Sequence, residues 1–219
     1  MSRIQAMWES SVGKKAVMAV TGLVLVAYLI THVAANLLVF DGPDRINTYA
    51  ALLHDTGAAL WGARLVLLVA AILHVVAAVQ LALRSRAARP QRYAAGRDPQ
   101  VSTLAARTML WGGALVLVFL VYHILHFTTG DVHPQFIELN PYNNVKTGFG
   151  NPLVAAFYLL AMLALGFHLY HGVWSSGRSL GMSRPSPRPL HRRLALLLAG
   201  FIWLGFTAIV VAGYLGRIP

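Results

Sequence analysis

Five apolar runs, each long enough to cross a bilayer, constrain the folding of this chain more than anything else in it. A hydrocarbon core roughly 30 Å thick needs about 20 apolar residues at a helical rise of about 1.5 Å per residue. The stretches that qualify run from Lys15 to Phe40, Trp61 to Leu83, Leu104 to Thr128, Pro152 to Trp174 and Leu194 to Leu215. Each is apolar around its whole circumference, as a spanning helix is and an interfacial one is not. A backbone amide in hydrocarbon has no water to pair with, so the runs predict five transmembrane helices and an all-α fold. The first run exceeds the roughly 7 to 15 apolar residues of a secretory signal and reads as a retained helix.

Composition agrees with a bilayer as solvent. Of 219 residues, 57% are hydrophobic and 11% charged, against about 25% charged in soluble domains. The net charge of +11 does not point to nucleic acid, because the basic residues are short punctuation between apolar runs rather than a stripe on one face. There is no cysteine, which excludes iron–sulfur clusters, thiolate zinc sites and thioether-linked haem within this chain. Any redox centre must then be held by histidine. With no repeat, no low-complexity tract and no second soluble domain, residues 1–219 read as one membrane domain.

Short cytoplasmic loops collect Lys and Arg. Fourteen of the eighteen basic residues fall on one side: Arg3, Lys14 and Lys15, then Arg84, Arg86, Arg89, Arg92, Arg97 and Arg107, then Arg178, Arg184, Arg188, Arg192 and Arg193. Five of the seven acids, Asp41, Asp44, Asp55, Asp131 and Glu138, fall on the other. The expectation is a multi-pass protein of a prokaryotic plasma membrane, with its N-terminus in the cytoplasm and its C-terminus outside. The proline-rich segment Ser183 to Leu190 reads as a semi-rigid surface connector. The segment from Gly130 to Asn151 is the longest outer connection, either a plain surface loop or the cap of a cavity.

Ionisable groups inside a membrane are costly, and they face the bundle interior, where partners are found. Six histidines lie within the runs: His32, His74, His123, His126, His168 and His171. Counting from the charged residue that marks each helix end gives their depth. His32 is nine residues before Asp41 and His123 eight before Asp131, so both lie roughly 12 to 14 Å from the outer boundary. His74 is ten residues before Arg84 and His168 ten before Arg178, roughly 15 Å from the inner boundary. Two imidazoles at one depth on different helices are what a bis-histidine haem needs, and two such pairs imply two haems b stacked across the membrane. A lone intramembrane histidine serves equally to bond a carbonyl or to line a proton path. His126 and His171 share a face with His123 and His168 but miss the partner's level by about a turn. They read as propionate or proton-path partners. Ser11, Arg84 and Arg178 are further candidates for anionic propionates, or else simple interfacial anchors.

The run SSVGKKAVMAVTGL leading to THVAANLLVF, then LHVVAAVQLALRSRAARPQRY, VYHILHFT and GFHLYHGVWSSGRSLG, resembles the dihaem cytochrome b membrane subunit of succinate dehydrogenases and fumarate reductases. The likeness spans about Trp8 to Gly216. It implies a five-helix subunit with one axial ligand from each of the first four helices, here His32, His74, His123 and His168. The first and third would hold the outer haem, the second and fourth the inner. It also implies two soluble partners on the arginine-rich face, a flavoprotein with covalent FAD and a subunit with three iron–sulfur clusters. Electrons from succinate would then reach a quinone, most plainly menaquinone, through the two haems. This chain would thus be part of an enzyme without carrying its flavin.

The quinone site is open on the sequence. Asp41, Asp44 and His54 are candidates near the outer level, or solvated loop residues; Trp8, Ser11 and Arg84 mark an alternative at the inner end. An apolar periphery also permits dimers or trimers of the complex. Two other functions compete: a cytochrome b anchor of another quinone-linked dehydrogenase, of hydrogenase or formate dehydrogenase type, and a proton-coupled transporter without haem.

Overall fold

The computed structural model describes residues 2–88, 103–182 and 190–219, apart from the side chains of Arg3 and Ile4. Arg89, Arg92, Arg97, Arg184, Arg188 and nearly all of the proline-rich connector lie outside the described residues. Among those described, every regular element is helical: α1 (Arg3–Glu9), α2 (Ser11–Leu37), a 3-10 turn (Leu38–Asp41), α3 (Pro43–Asp55), α4 (Ala58–Ala87), α5 (Leu104–Phe127), α6 (Pro141–Phe149), α7 (Pro152–Ser179) and α8 (Leu190–Tyr214). Five of these, α2 with its turn, α4, α5, α7 and α8, are long and apolar enough to span a membrane.

Helix starts follow from local chemistry. Ser10 accepts the Gly13 amide at 2.8 Å, satisfying one of the donors a helix start leaves open. Proline opens α3, α6 and α7, where its missing N–H costs nothing. Asn140 and Asn151 cap α6 and α7. Gly42, at φ 96°, makes the break between the 3-10 turn and α3 in a conformation other residues rarely adopt.

The alternation of the spanning helices gathers charge at the two ends. Lys14, Arg84, Arg86, Arg107, Arg178, Arg192 and Arg193 lie at one end, and Asp41, Asp44, Asp55, Asp131 and Glu138 at the other. We refer to these as the basic and acidic ends.

Helix α7 packs along α8, α5 and α2, while α4 packs along α2, and α8 also lies against α2. The neighbours thus run α4–α2–α7–α5, with α8 seated on the central two. Small residues permit that closeness: Ala161 of α7 and Ala195 and Ala199 of α8 are buried, and Gly205 of α8 faces Val33 of α2. The pairs α2–α5 and α4–α7 fall outside this set of close neighbours. Each shares a common neighbour and packs less closely on the other.

Two parts depart from expectation. The connection from Gly130 to Asn151 is not a plain surface loop: it contains α6, and His133, Asn144, Val145, Gly148 and Phe149 are buried. The first connection at the acidic end is likewise helical, as α3, and Asn47 ties the two together. Its amide donates to Asn140 Oδ1 at 3.1 Å, and its oxygen accepts the Tyr142 N–H at 3.2 Å.

Candidate functional site

The four helices bring the intramembrane histidines together in two pairs across the less closely packed diagonals. The His32 and His123 rings, from α2 and α5, lie 5.9 Å apart between centroids at 84°. The His74 and His168 rings, from α4 and α7, lie 6.1 Å apart at 63°. These are the pairs that depth counting matched. A metal bound by one nitrogen of each ring at about 2.0 Å would hold the centroids roughly 6 Å apart, once a ring radius of about 1.1 Å is added on each side. Both separations meet that requirement.

The nitrogens already engaged decide which remain available. His74 Nδ1 lies 3.0 Å from the Met18 carbonyl. A carbonyl only accepts, so Nδ1 carries the proton and the lone pair of the neutral ring is on Nε2. His123 Nδ1 is occupied by the Tyr158 hydroxyl at 3.3 Å, and His32 Nδ1 by the Tyr28 hydroxyl at 3.3 Å. Asn36, also 3.3 Å from His32 Nδ1, spends an amide N–H on the His32 carbonyl at 2.8 Å. In these three residues Nε2 is the nitrogen left over. His168 Nδ1 is buried with no hydrogen-bond partner among the described residues, as is His171 Nδ1.

The surroundings are apolar and close. Phe206 packs on His32 at 5.6 Å, and Phe119 and Phe127 on His123 at 5.5 and 5.8 Å. A Cβ on Gly22 would sit 3.0 Å from His74 Cε1, so glycine is what lets α2 approach that imidazole. Beside His168 a cavity of about 300 Å³ opens between α5 and α7, walled by Thr108, Gly112, Leu115, Ala164 and Phe167. Among the described residues no three His, Asp or Glu side chains converge as a metal cage. Donors presented in twos suit a group that brings its own equatorial ligands, as haem does.

The second members of the doublets part company. His126 is buried, with Nδ1 3.0 Å from Tyr158 Oη and its ring stacked on His133 at 4.7 Å. His171 faces Trp174 edge-on at 5.9 Å. Arg178 and Arg192 both lie over the Trp174 ring at 5.4 Å, and Arg192 donates to Tyr170 Oη at 2.7 Å. At the same end, Arg84 donates to the Glu9 carbonyl at 2.6 Å and Lys14 to the Trp8 carbonyl at 2.6 Å. These residues, with Gln80 and Leu83, border a recess of about 430 Å³. Ser11 is exposed at the start of α2 and is not part of it. Asp41, Asp44 and His54 are exposed on the 3-10 turn and α3 and do not converge with the histidine pairs.

Sequence reasoning missed Tyr158, Tyr28 and Gly22. Tyr158 stands ten residues before His168 on α7, about 15 Å toward the acidic end. The depth count applied to hydroxyls as well as to histidines would have placed it level with His123.

The class these features define is a helical membrane protein with five spanning segments and two cross-bundle histidine pairs. The chain matches no family model, no curated protein and no solved structure.

Proposed function

We propose that the chain is the membrane-anchor and electron-transfer subunit of a succinate:quinone oxidoreductase, with two bis-histidine haems b. The observation that carries the reading is the pair of imidazole pairs, 5.9 and 6.1 Å between centroids, at two depths of one bundle. Haem b bound at each pair would supply one-electron transfer along the membrane normal. The protein's contribution is to hold and tune. His32 and His123 would ligate at the acidic end, His74 and His168 at the basic end. Met18, Tyr28 and Tyr158 fix the orientation of three of the four rings, leaving Nε2 available. Phe119, Phe127 and Phe206 pack against the acidic-end pair and make its surroundings apolar.

The basic end faces the cytoplasm in this reading, by the bias of its Lys and Arg. The flavoprotein, with its covalent FAD, and the iron–sulfur subunit would dock there. Arg178 and His171 would serve the propionates of the nearer haem, and the recess bordered by Trp8, Lys14 and Arg84 would take a propionate or a quinone carbonyl. The quinone is most plainly menaquinone, from the resemblance in the sequence. Purification from membranes with co-purifying subunits, followed by pyridine haemochrome assay and reduced-minus-oxidised spectra, tests the proposal. Two haems b per chain and a flavin-bearing partner are expected. Absence of haem would overturn the reading, and haem with a flavin-free partner would reassign it to another quinone-linked dehydrogenase.

A further inference from the structure

Tyr158 sits at the centre of a buried hydrogen-bond chain, and its chemistry gives the chain a direction. Its hydroxyl, on a residue only 2% exposed, lies 3.3 Å from His123 Nδ1 and 3.0 Å from His126 Nδ1. A phenol has one proton to donate. Between two imidazole nitrogens it donates to one and accepts from the other, so only two polarities exist. If His126 donated and Tyr158 passed its proton to His123 Nδ1, the neutral His123 ring would carry its hydrogen on Nε2 and have no lone pair to offer. Ligation by His123 therefore selects the other polarity: His123 Nδ1–H to Tyr158 Oη, and Tyr158 O–H to His126 Nδ1.

The far side of His126 is fixed as well. His133 stacks on it with rings 25° apart, and the tautomer of His133 is set by its own partners. The Gln135 N–H donates to His133 Nδ1 at 3.2 Å, so the hydrogen is on Nε2, which donates to the Asn144 carbonyl at 3.0 Å. Gly148 of α6 allows that stack: a Cβ there would lie 2.9 Å from His133 Nε2 and 3.0 Å from His126 Cε1. Helix α6 and its connection thus hold the His126 ring in place beside Tyr158.

Resting on the proposed haem function, we infer that Tyr158, seated on His126 and the α6 connection, is a positioning residue that fixes the tautomer of the His123 axial imidazole and sets the potential of the acidic-end haem alone. An acceptor on the free N–H of a ligating imidazole raises its basicity and favours the oxidised metal. His168 has no such acceptor among the described residues. The chain works through ground-state hydrogen bonds, and no bond to the cofactor is made or broken by it.

Redox titration and low-temperature EPR of the intact membrane complex test this, with signals assigned through the single-haem variants His123→Ala and His168→Ala. Tyr158→Phe is expected to keep two haems per chain while raising the acidic-end midpoint. At a fixed intermediate potential its ferrous-to-ferric ratio should increase several-fold, with the basic-end haem unchanged. His126→Leu should shift the same signal in the same direction by less, and His126→Gln, whose amide oxygen can accept from Tyr158, should restore it. Two haems in Tyr158→Phe with an unmoved acidic-end signal, or an equal shift in both haems, would overturn the inference while leaving the haem reading intact. If Tyr158→Phe fails to assemble, His126→Leu against His126→Gln decides, and identical behaviour overturns it. A wild-type complex without haem overturns both.

Discussion

The acidic-end and basic-end histidine pairs are built alike in spacing and differently in support. At the acidic end His32 and His123 each meet a tyrosine hydroxyl through Nδ1, and three phenylalanines pack on their rings. Polar connections fold over that end as α3 and α6. At the basic end His74 leans on a backbone carbonyl, that of Met18, while His168 has no partner at Nδ1 among the described residues and borders a cavity. A side-chain hydroxyl can be deleted by substitution and a carbonyl cannot. The acidic-end pair is therefore the more open to tuning residue by residue, whereas the basic-end pair is disturbed chiefly by removing a ligand or by crowding it.

The largest expected effect breaks one pair and spares the other. On the proposed haem reading, His123→Ala should reduce haem from two per chain to one by losing the acidic-end signal, and His168→Ala should lose the basic-end signal instead. Pyridine haemochrome quantification with redox titration reads both, and loss of the same signal in both variants would show that the pairs are not independent. Next come the glycines that touch each side. Gly22→Leu drives a side chain into His74, and Gly148→Leu drives one into the His126–His133 stack. Overpacking of this kind costs about 1–3 kcal/mol. Gly22→Leu should lower occupancy at the basic end only, while Gly148→Leu should alter the acidic-end spectrum only.

Gly205→Val calibrates the comparison, because it pushes α8 off Val33 of α2, the helix that serves both pairs. It should cost about 1–3 kcal/mol of bundle stability, lowering thermal unfolding in detergent and weakening both haem signals together. The smallest effect belongs to Thr21→Val. The Thr21 hydroxyl is 3.5 Å from His74 Nδ1 but donates to the Val17 carbonyl at 2.7 Å, and Met18 already holds the imidazole. A change of no more than about 1 kcal/mol follows. A basic-end spectral shift as large as that in Gly22→Leu would mean that Thr21, not Met18, orients His74.

The spanning helices were legible because apolar length and helical rise fix what can cross hydrocarbon. Histidine pairing was legible for a related reason: within a rigid helix, sequence distance is physical depth, so Asp41, Arg84, Asp131 and Arg178 served as rulers. What failed was reading polarity as exposure. Asn144 and His133 are polar and lie in a connection, yet both are buried: the Asn144 side chain exchanges hydrogen bonds with the Ile137 backbone, and the His133 ring bonds the Asn144 carbonyl. Asp41 and His54, equally polar and in the neighbouring connection, are exposed. Nothing local distinguishes them, because burial in a cap depends on which helix lies beneath it.

Sequence by itself determined the solvent, the number of spanning helices, the gathering of charge at two ends and the depth of each histidine. Each of these follows from composition and from a constant rise along one helix. The tertiary structure decided azimuth: that α2 and α5, and α4 and α7, face each other across a shared neighbour instead of packing closely, and that Tyr158 of one helix reaches two histidines of another. Rotation about a helix axis is set by the ridges, small residues and gaps of its neighbours, and an apolar run that is alike on every side carries no mark of which side will face in.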